Sequence, residues 1–136
     1  MACTDKTRPY HYTQASITIQ PIELCEKLGF NLGNAVKYIC RAGAKPGESE
    51  LDDLRKAAYY LAREHMLQHE RSPYRTVFQK SVSWLMSLFI EKYPLLDGLE
   101  LRNEEQATRY VLGKVRERIS EIEYRIKVAQ QAELEE

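Results

Sequence analysis

Apolar residues recur three and four positions apart along most of this chain, the spacing of one face of an α-helix, and proline or glycine interrupts the pattern where its phase changes. Ile22, Cys25 and Leu28 define a short first helix, with Pro21 at a first helical position and Gly29 as its C-terminal cap. Asn31 suits the N-cap of a second helix, whose apolar face is Leu32, Ala35, Val36, Ile39 and Cys40 and which Gly43 ends. After a turn over residues 44–48, Ser49 and Asp52 resemble a capping box, and Glu50, Asp52 and Asp53 suit the positive end of a third helix over residues 50–70. Leu51, Leu54, Ala58 and Leu61 form its expected buried stripe, and Ser72-Pro73 breaks it.

A fourth helix is expected over residues 76–92. Phe78, Val82, Leu85 and Phe89 point inward, and Trp84, Met86 and Leu88 make it apolar on several sides. Residues 94–102 read as a connector turning at Asp97-Gly98. The last helix, over residues 103–133, repeats apolar positions at Val111, Val115, Ile119, Ile122, Ile126 and Ala129, close to heptad spacing. A helix of ~30 residues is ~45 Å long, longer than a compact domain of this size needs, so its end is expected to pack on a second copy. The tail over residues 133–136 is expected to fray. At the other end, residues 1–16 read as a flexible arm, with Ile17-Thr18-Ile19 as one short extended segment.

The pattern gives an all-α fold of about five helices. It divides into the arm (1–16), a helical region carrying the site (17–71) and a helical extension that assembles a homo-oligomer (72–136). Composition narrows the function. Lysine plus arginine equals aspartate plus glutamate, 20 against 20, which argues against a general nucleic-acid coat or a membrane-surface protein. No apolar run reaches ~18 residues, so no membrane span is expected. Cys3, Cys25 and Cys40 are an odd set without close spacing. They form neither a disulfide framework nor a zinc site, and a cytoplasmic location follows.

One polar face carries the candidate chemistry. Asn34, Lys37, Tyr38 and Arg41 lie opposite the apolar face of the second helix, Lys45 sits in the turn, and Asp53, Lys56 and Tyr60 share a face of the third. If the two helices form a hairpin, these stripes converge. Lys37, Arg41, Lys45 and Lys56 would then hold phosphate oxygens, Arg41 in a bidentate manner. Asn34 would read a base edge or a sugar hydroxyl, Tyr38 or Tyr60 would stack on a base, and Asp53 would orient a lysine or hold Mg2+. The competing reading is a solvated face, since charges at three and four apart are ordinary there. His11, with Tyr10 and Tyr12, would let the arm fold over the ligand face.

Residues 11–64 resemble the phage SaV-like family, which includes a phage nucleotide kinase. The resemblance rests on His11-Tyr12, Ile22-Glu23, Gly33-Asn34-Ala35-Val36-Lys37-Tyr38-Ile39 with Arg41, Gly43 and Lys45, then Asp53-Leu54, Lys56-Ala57 and Tyr60-Leu61. It implies a phage or prophage origin and handling of a nucleotide, and no cofactor is expected beyond Mg2+ that a bound nucleotide would bring with it. Residues 72–136 fall outside it. The sequence has no Gly-x-x-x-x-Gly-Lys-Ser/Thr loop, so a kinase built on it would rely on helical cations for charge and on Asp53 or Glu50 for magnesium. The all-helical nucleoside triphosphate pyrophosphohydrolases fit poorly. They need paired carboxylates where this chain has Asn34, Lys37 and Arg41.

His65 and His69, four apart, lack a third ligand and read as surface residues rather than a metal pair. Arg109, Lys114, Arg116, Arg118 and Arg125 interleave with Glu117, Glu121 and Glu123, a pattern of intrahelical pairs rather than nucleic-acid contact. The leading expectation is therefore recognition of a small nucleotide, either by an enzyme transferring phosphate to a nucleoside monophosphate or by a non-catalytic sponge for a host nucleotide signal. The rival is a helical module that grips a host protein.

Overall fold

The computed structural model describes residues 20–44, 49–68, 80–100 and 104–135, less the side chains of residues 80–84 and 100. Every regular element among them is helical: α1 (Pro21–Cys25), α2 (Phe30–Arg41), α3 (Glu50–Gln68), α4 (Lys80–Lys92), a 3-10 helix (Pro94–Glu100) and α5 (Glu104–Glu135). The all-α expectation holds. The arm, the extended segment over residues 17–19 and the turn carrying Lys45 lie outside the described residues.

Local signals explain most boundaries. Pro21 occupies the first turn of α1, and the Gln20 backbone N–H donates to Glu23 Oε2 at 2.8 Å. The helix stops early, at Cys25, and a turn over residues 26–28 leads to Gly29. Gly29 is the N-cap of α2 rather than a cap on α1, and Asn31 lies one residue inside the helix. The reason is conformational. The chain reverses at Gly29 with φ +81°, a left-handed value that glycine adopts readily, and the Gly33 N–H then closes the first turn onto the Gly29 carbonyl at 2.9 Å. Gly43, φ +72°, ends α2 as expected. The Asp52 N–H reaches Ser49 Oγ at 3.4 Å, a long version of the anticipated cap on α3.

Chain reversals set the helices side by side. Arg41 at the end of α2 meets Asp53 near the start of α3, while Phe30 at the start of α2 meets Tyr60 farther along α3. That is the antiparallel hairpin the site required. The third layer, α5, runs antiparallel to α3: Glu50 holds Arg118 through two bonds at 2.9 and 3.3 Å, His65 meets Glu105 at 2.9 Å, and Gln68 Nε2 donates to Thr108 Oγ1 at 2.8 Å.

The apolar face of α2 is buried as expected, through Leu32, Ala35, Val36, Ile39 and Cys40. On α3 the buried stripe is rotated: Ala57 is fully buried and Ala58 only partly, so the inward line runs Leu54, Ala57, Leu61, Glu64 and Gln68. On α1 the inward residue is Leu24, and Ile22 is 62% exposed. The expected connector at 94–102 is instead the 3-10 helix, which buries Leu96 and Leu99. One continuous cluster joins these residues to Leu85, Met86 and Phe89 of α4 and to Val111 and Val115 of α5.

Two features of α5 differ from expectation. It stays helical to Glu135 instead of fraying at 133. It also runs about 48 Å at 1.5 Å per residue and leaves the bundle past Glu121, where only Ile122 is partly buried. Ile126 is 44% and Leu134 85% exposed in the single chain. No helix among the described residues is long and apolar enough to cross a membrane.

Candidate functional site

Antiparallel pairing of α2 with α3 brings side chains from the two polar stripes onto one edge. Tyr38 and Tyr60 stack on each other, with ring centroids 6.0 Å apart and planes 10° from parallel. Phe30 and Tyr59 each meet Tyr60 edge-on, at 6.0 and 5.3 Å. Two ammonium groups from different helices lie over the Tyr38 ring: Lys37 Nζ at 4.5 Å and Lys56 Nζ at 5.4 Å. Each contact supplies about 0.5–1 kcal/mol at an exposed site. Neither lysine has a carboxylate partner among the described residues. Two like charges therefore share one aromatic surface, which suits an anion.

Tyr38 and Tyr60 are both partly buried and share one stacked contact. Two expected roles change. Arg41 is not a free phosphate fork: its Nε lies 3.6 Å from Oδ1 of fully buried Asp53. Asp53 in turn neither orients a lysine nor faces solvent where a hydrated magnesium ion would sit. Burial in the hairpin gives its charge to Arg41. Asn34 donates its Nδ2 to the Phe30 carbonyl at 2.7 Å, leaving the side-chain oxygen for other work. His11, Tyr12 and Lys45 lie outside the described residues.

Beside this edge, α1 and α2 enclose an open groove of about 670 Å3, within the range of small-molecule sites. Pro21, Ile22, Cys25 and Gly33 give it an apolar floor, and Phe30, Asn34 and Lys37 line its α2 wall. Gly33 lets the helices close: a Cβ there would stand 2.6 Å from the Cys25 carbonyl oxygen. Lys37 belongs both to the groove and to the aromatic edge, so the two form one surface.

The sequence reading missed Phe30, Ile22, Gln20 and Glu26. For Phe30 a signal existed. It precedes Asn34 by four and Lys37 by seven, so it falls on the polar face, where a large aromatic residue has no packing role. In the structure it is 75% exposed.

Cys25 lines the groove as a poorly ionised thiol. Burial pushes its thiol up to about 11, against the opposing pull of the Lys37 charge, and burial raises Cys40 further still. At pH 8 alkylation of Cys25 is expected to run about 100-fold slower than for an ordinary thiol, because a two-unit rise cuts the thiolate fraction by that factor. Mass spectrometry after timed iodoacetamide treatment measures this. The sign for stability follows: the unfolded thiol ionises first, so the contribution is full below pH 9 and is lost as pH rises from about 9 to about 11.

His65 is partly buried in the α3–α5 seam against Glu105 rather than free on the surface, and His69 lies outside the described residues. The basic residues of α5 form some intrahelical pairs, Arg109–Glu105 and Arg118–Glu121, but Arg118 also ties α5 to Glu50 and Glu123 meets Arg55 of α3.

Residues 6–62 match a family model described as a protein of unknown function, DUF3310. The match begins in the arm and ends within α3, and it spans all of α1 and α2. No curated protein and no solved structure matches the chain.

Proposed function

We propose that the chain binds a small nucleotide on the surface formed by the α2–α3 edge and the α1–α2 groove. The observation that carries this is the convergence of Lys37 and Lys56, from two helices, over one tyrosine ring with no carboxylate among the described residues to neutralise either. Such a pair lowers the energy of a phosphate that arrives and is mutually repulsive without one. The neighbouring apolar groove suits the ring of the same ligand. The resemblance of residues 11–64 to the phage SaV-like family supports the same class.

Sequestration is the form of this activity that the described residues favour, as a sponge for a nucleotide signal of an infected host cell. Asp53, the carboxylate expected to hold Mg2+ at this edge, is committed to Arg41 in the core and is poorly placed to deprotonate an attacking hydroxyl or to hold Mg2+ beside a phosphate. Phosphoryl transfer to a nucleoside monophosphate is the alternative that the resemblance supplies. Self-association through the projecting end of α5 is compatible with either, and the exposed Ile126 and Leu134 support it.

The test is a thermal-shift and calorimetry panel of mono-, di-, tri- and cyclic nucleotides, with and without Mg2+. At least one is expected to stabilise the protein. Lys37→Met with Lys56→Met is expected to weaken that binding by about 100-fold, each lost charge-assisted contact being worth about 1.5 kcal/mol or more. With a nucleoside monophosphate, ATP and Mg2+ present together, binding without product over hours selects the sponge, and conversion of the monophosphate to its diphosphate selects the kinase. A flat response to every nucleotide overturns the reading in favour of a module for a host protein.

A further inference from the structure

The aromatic edge and the groove are not equivalent parts of the surface, and their asymmetry assigns a direction to the ligand. The ring of Phe30 touches Tyr60 only edge-on and is 75% exposed where it lines the groove. Among the aromatic residues of the site it alone lines the groove, so a flat ring entering there meets it first. Along the same wall of α2, Asn34 stands one turn on and Lys37 two turns on. Seven residues separate Phe30 from Lys37, about 10 Å along the helix at 1.5 Å per residue. That is the order of length from a nucleobase to its outer phosphates.

Charge sorts the two ends in the same sense. The chain reverses at Gly29, and Gly33 lies against the Cys25 carbonyl. This register places Glu26 toward the Phe30 end of the groove and Gln20 toward the Lys37 end. Glu26 disfavours a phosphate at the first end. At the second, the Lys37 ammonium favours it, and Gln20 lines the groove 8% exposed, its amide nitrogen without an acceptor among the described residues. The floor between is apolar, through Pro21, Ile22, Cys25 and Gly33.

We infer that the α1–α2 groove seats the base of a nucleotide against Phe30, with the phosphates running toward Lys37 and Lys56. This rests on the nucleotide reading above and adds to it a ring-binding residue and an orientation. Phe30 thus discriminates ring-bearing from ring-free polyphosphates. The cations do not.

Titration calorimetry on the full chain tests it, with ATP, GTP, CTP and UTP as ring-bearing probes and inorganic tripolyphosphate as the ring-free one. Phe30→Leu keeps an apolar side chain at an exposed position and is expected to leave the fold intact, which a melting curve checks. It is expected to weaken the nucleotides that bind by about tenfold while leaving tripolyphosphate within twofold. Phe30→Tyr is expected to restore nucleotide affinity, and Lys37→Met to weaken both classes of probe. An equal loss for nucleotide and tripolyphosphate, or no loss for either, overturns the assigned seat while leaving nucleotide binding in place. Wild-type binding of tripolyphosphate but of no nucleotide also overturns the seat. Binding of neither overturns the seat, and the proposed function falls with it when the mono-, di- and cyclic nucleotides of the wider panel are flat as well.

Discussion

Arg41→Met is expected to destabilise the protein by about 3–5 kcal/mol, because it strands the Asp53 carboxylate, fully buried at the base of the α2–α3 hairpin, without its counter-charge. The pair is not an efficient one. Its atoms approach only to 3.6 Å, and neither Asp53 oxygen accepts a hydrogen bond among the described residues. Desolvation therefore weighs heavily against Coulomb attraction, and the pair contributes less than its isolated members cost. Arg41→Met combined with Asp53→Leu is accordingly expected to recover most of the loss. Urea unfolding of the two single variants and the double variant measures both effects. A loss below about 1 kcal/mol in Arg41→Met would show that solvent reaches Asp53. One practical result is that Arg41 variants would confound a binding assay with unfolding, whereas Lys37 and Lys56, both exposed, separate the two.

A chain ending after residue 71 is expected not to fold cooperatively, although it would keep every residue of the family match. Leu54, Ala57 and Leu61 are fully buried on α3, and the cluster they belong to is completed by Phe89, Leu96, Val111 and Val115. Removing α4, the 3-10 helix and α5 would return these α3 side chains to water, and each leucine loses about 1.5–3 kcal/mol. With Leu24, Leu32 and Val36 also losing neighbours, the total is comparable to the margin of about 5–15 kcal/mol by which small proteins are stable. Circular dichroism of the truncated chain should show residual helix and no sharp melting transition. A cooperative melt would mean that residues 17–71 hold a core of their own.

Periodicity made the helices legible. The apolar face of α2 was readable residue by residue because Leu32, Ala35, Val36, Ile39 and Cys40 are all packed. On α3, Asp53 and Glu64 are buried although charged, so a stripe drawn through apolar residues alone was turned by about one residue, toward Ala58. The 3-10 helix was hidden because Pro94 and Asp97-Gly98 are turn signals. That its two leucines would find the core depended on where α4 and α5 lie. At the site, sequence spacing brought Lys37, Tyr38, Lys56 and Tyr60 to one edge. It did not reveal that the tyrosines would stack on each other or that Arg41 would turn inward, since both depend on the distance between α2 and α3. The groove was unreadable for a related reason: it depends on how α1, only five residues long, lies against α2.

The seam between α3 and α5 has a mechanical consequence. Its bonds are directional and far apart: Glu50 with Arg118 at one end, His65 with Glu105 and Gln68 with Thr108 at the other. Apolar side chains tolerate a helix sliding by one turn, about 5.4 Å, because one leucine replaces another. Here such a slide would unlatch both ends at once and leave Gln68 and Thr108 mismatched in the interior. The two helices are keyed like a bolt in its keeper, so motion in this protein should be sought in α1, whose hold on the bundle is short, and not in slippage along its longest contact.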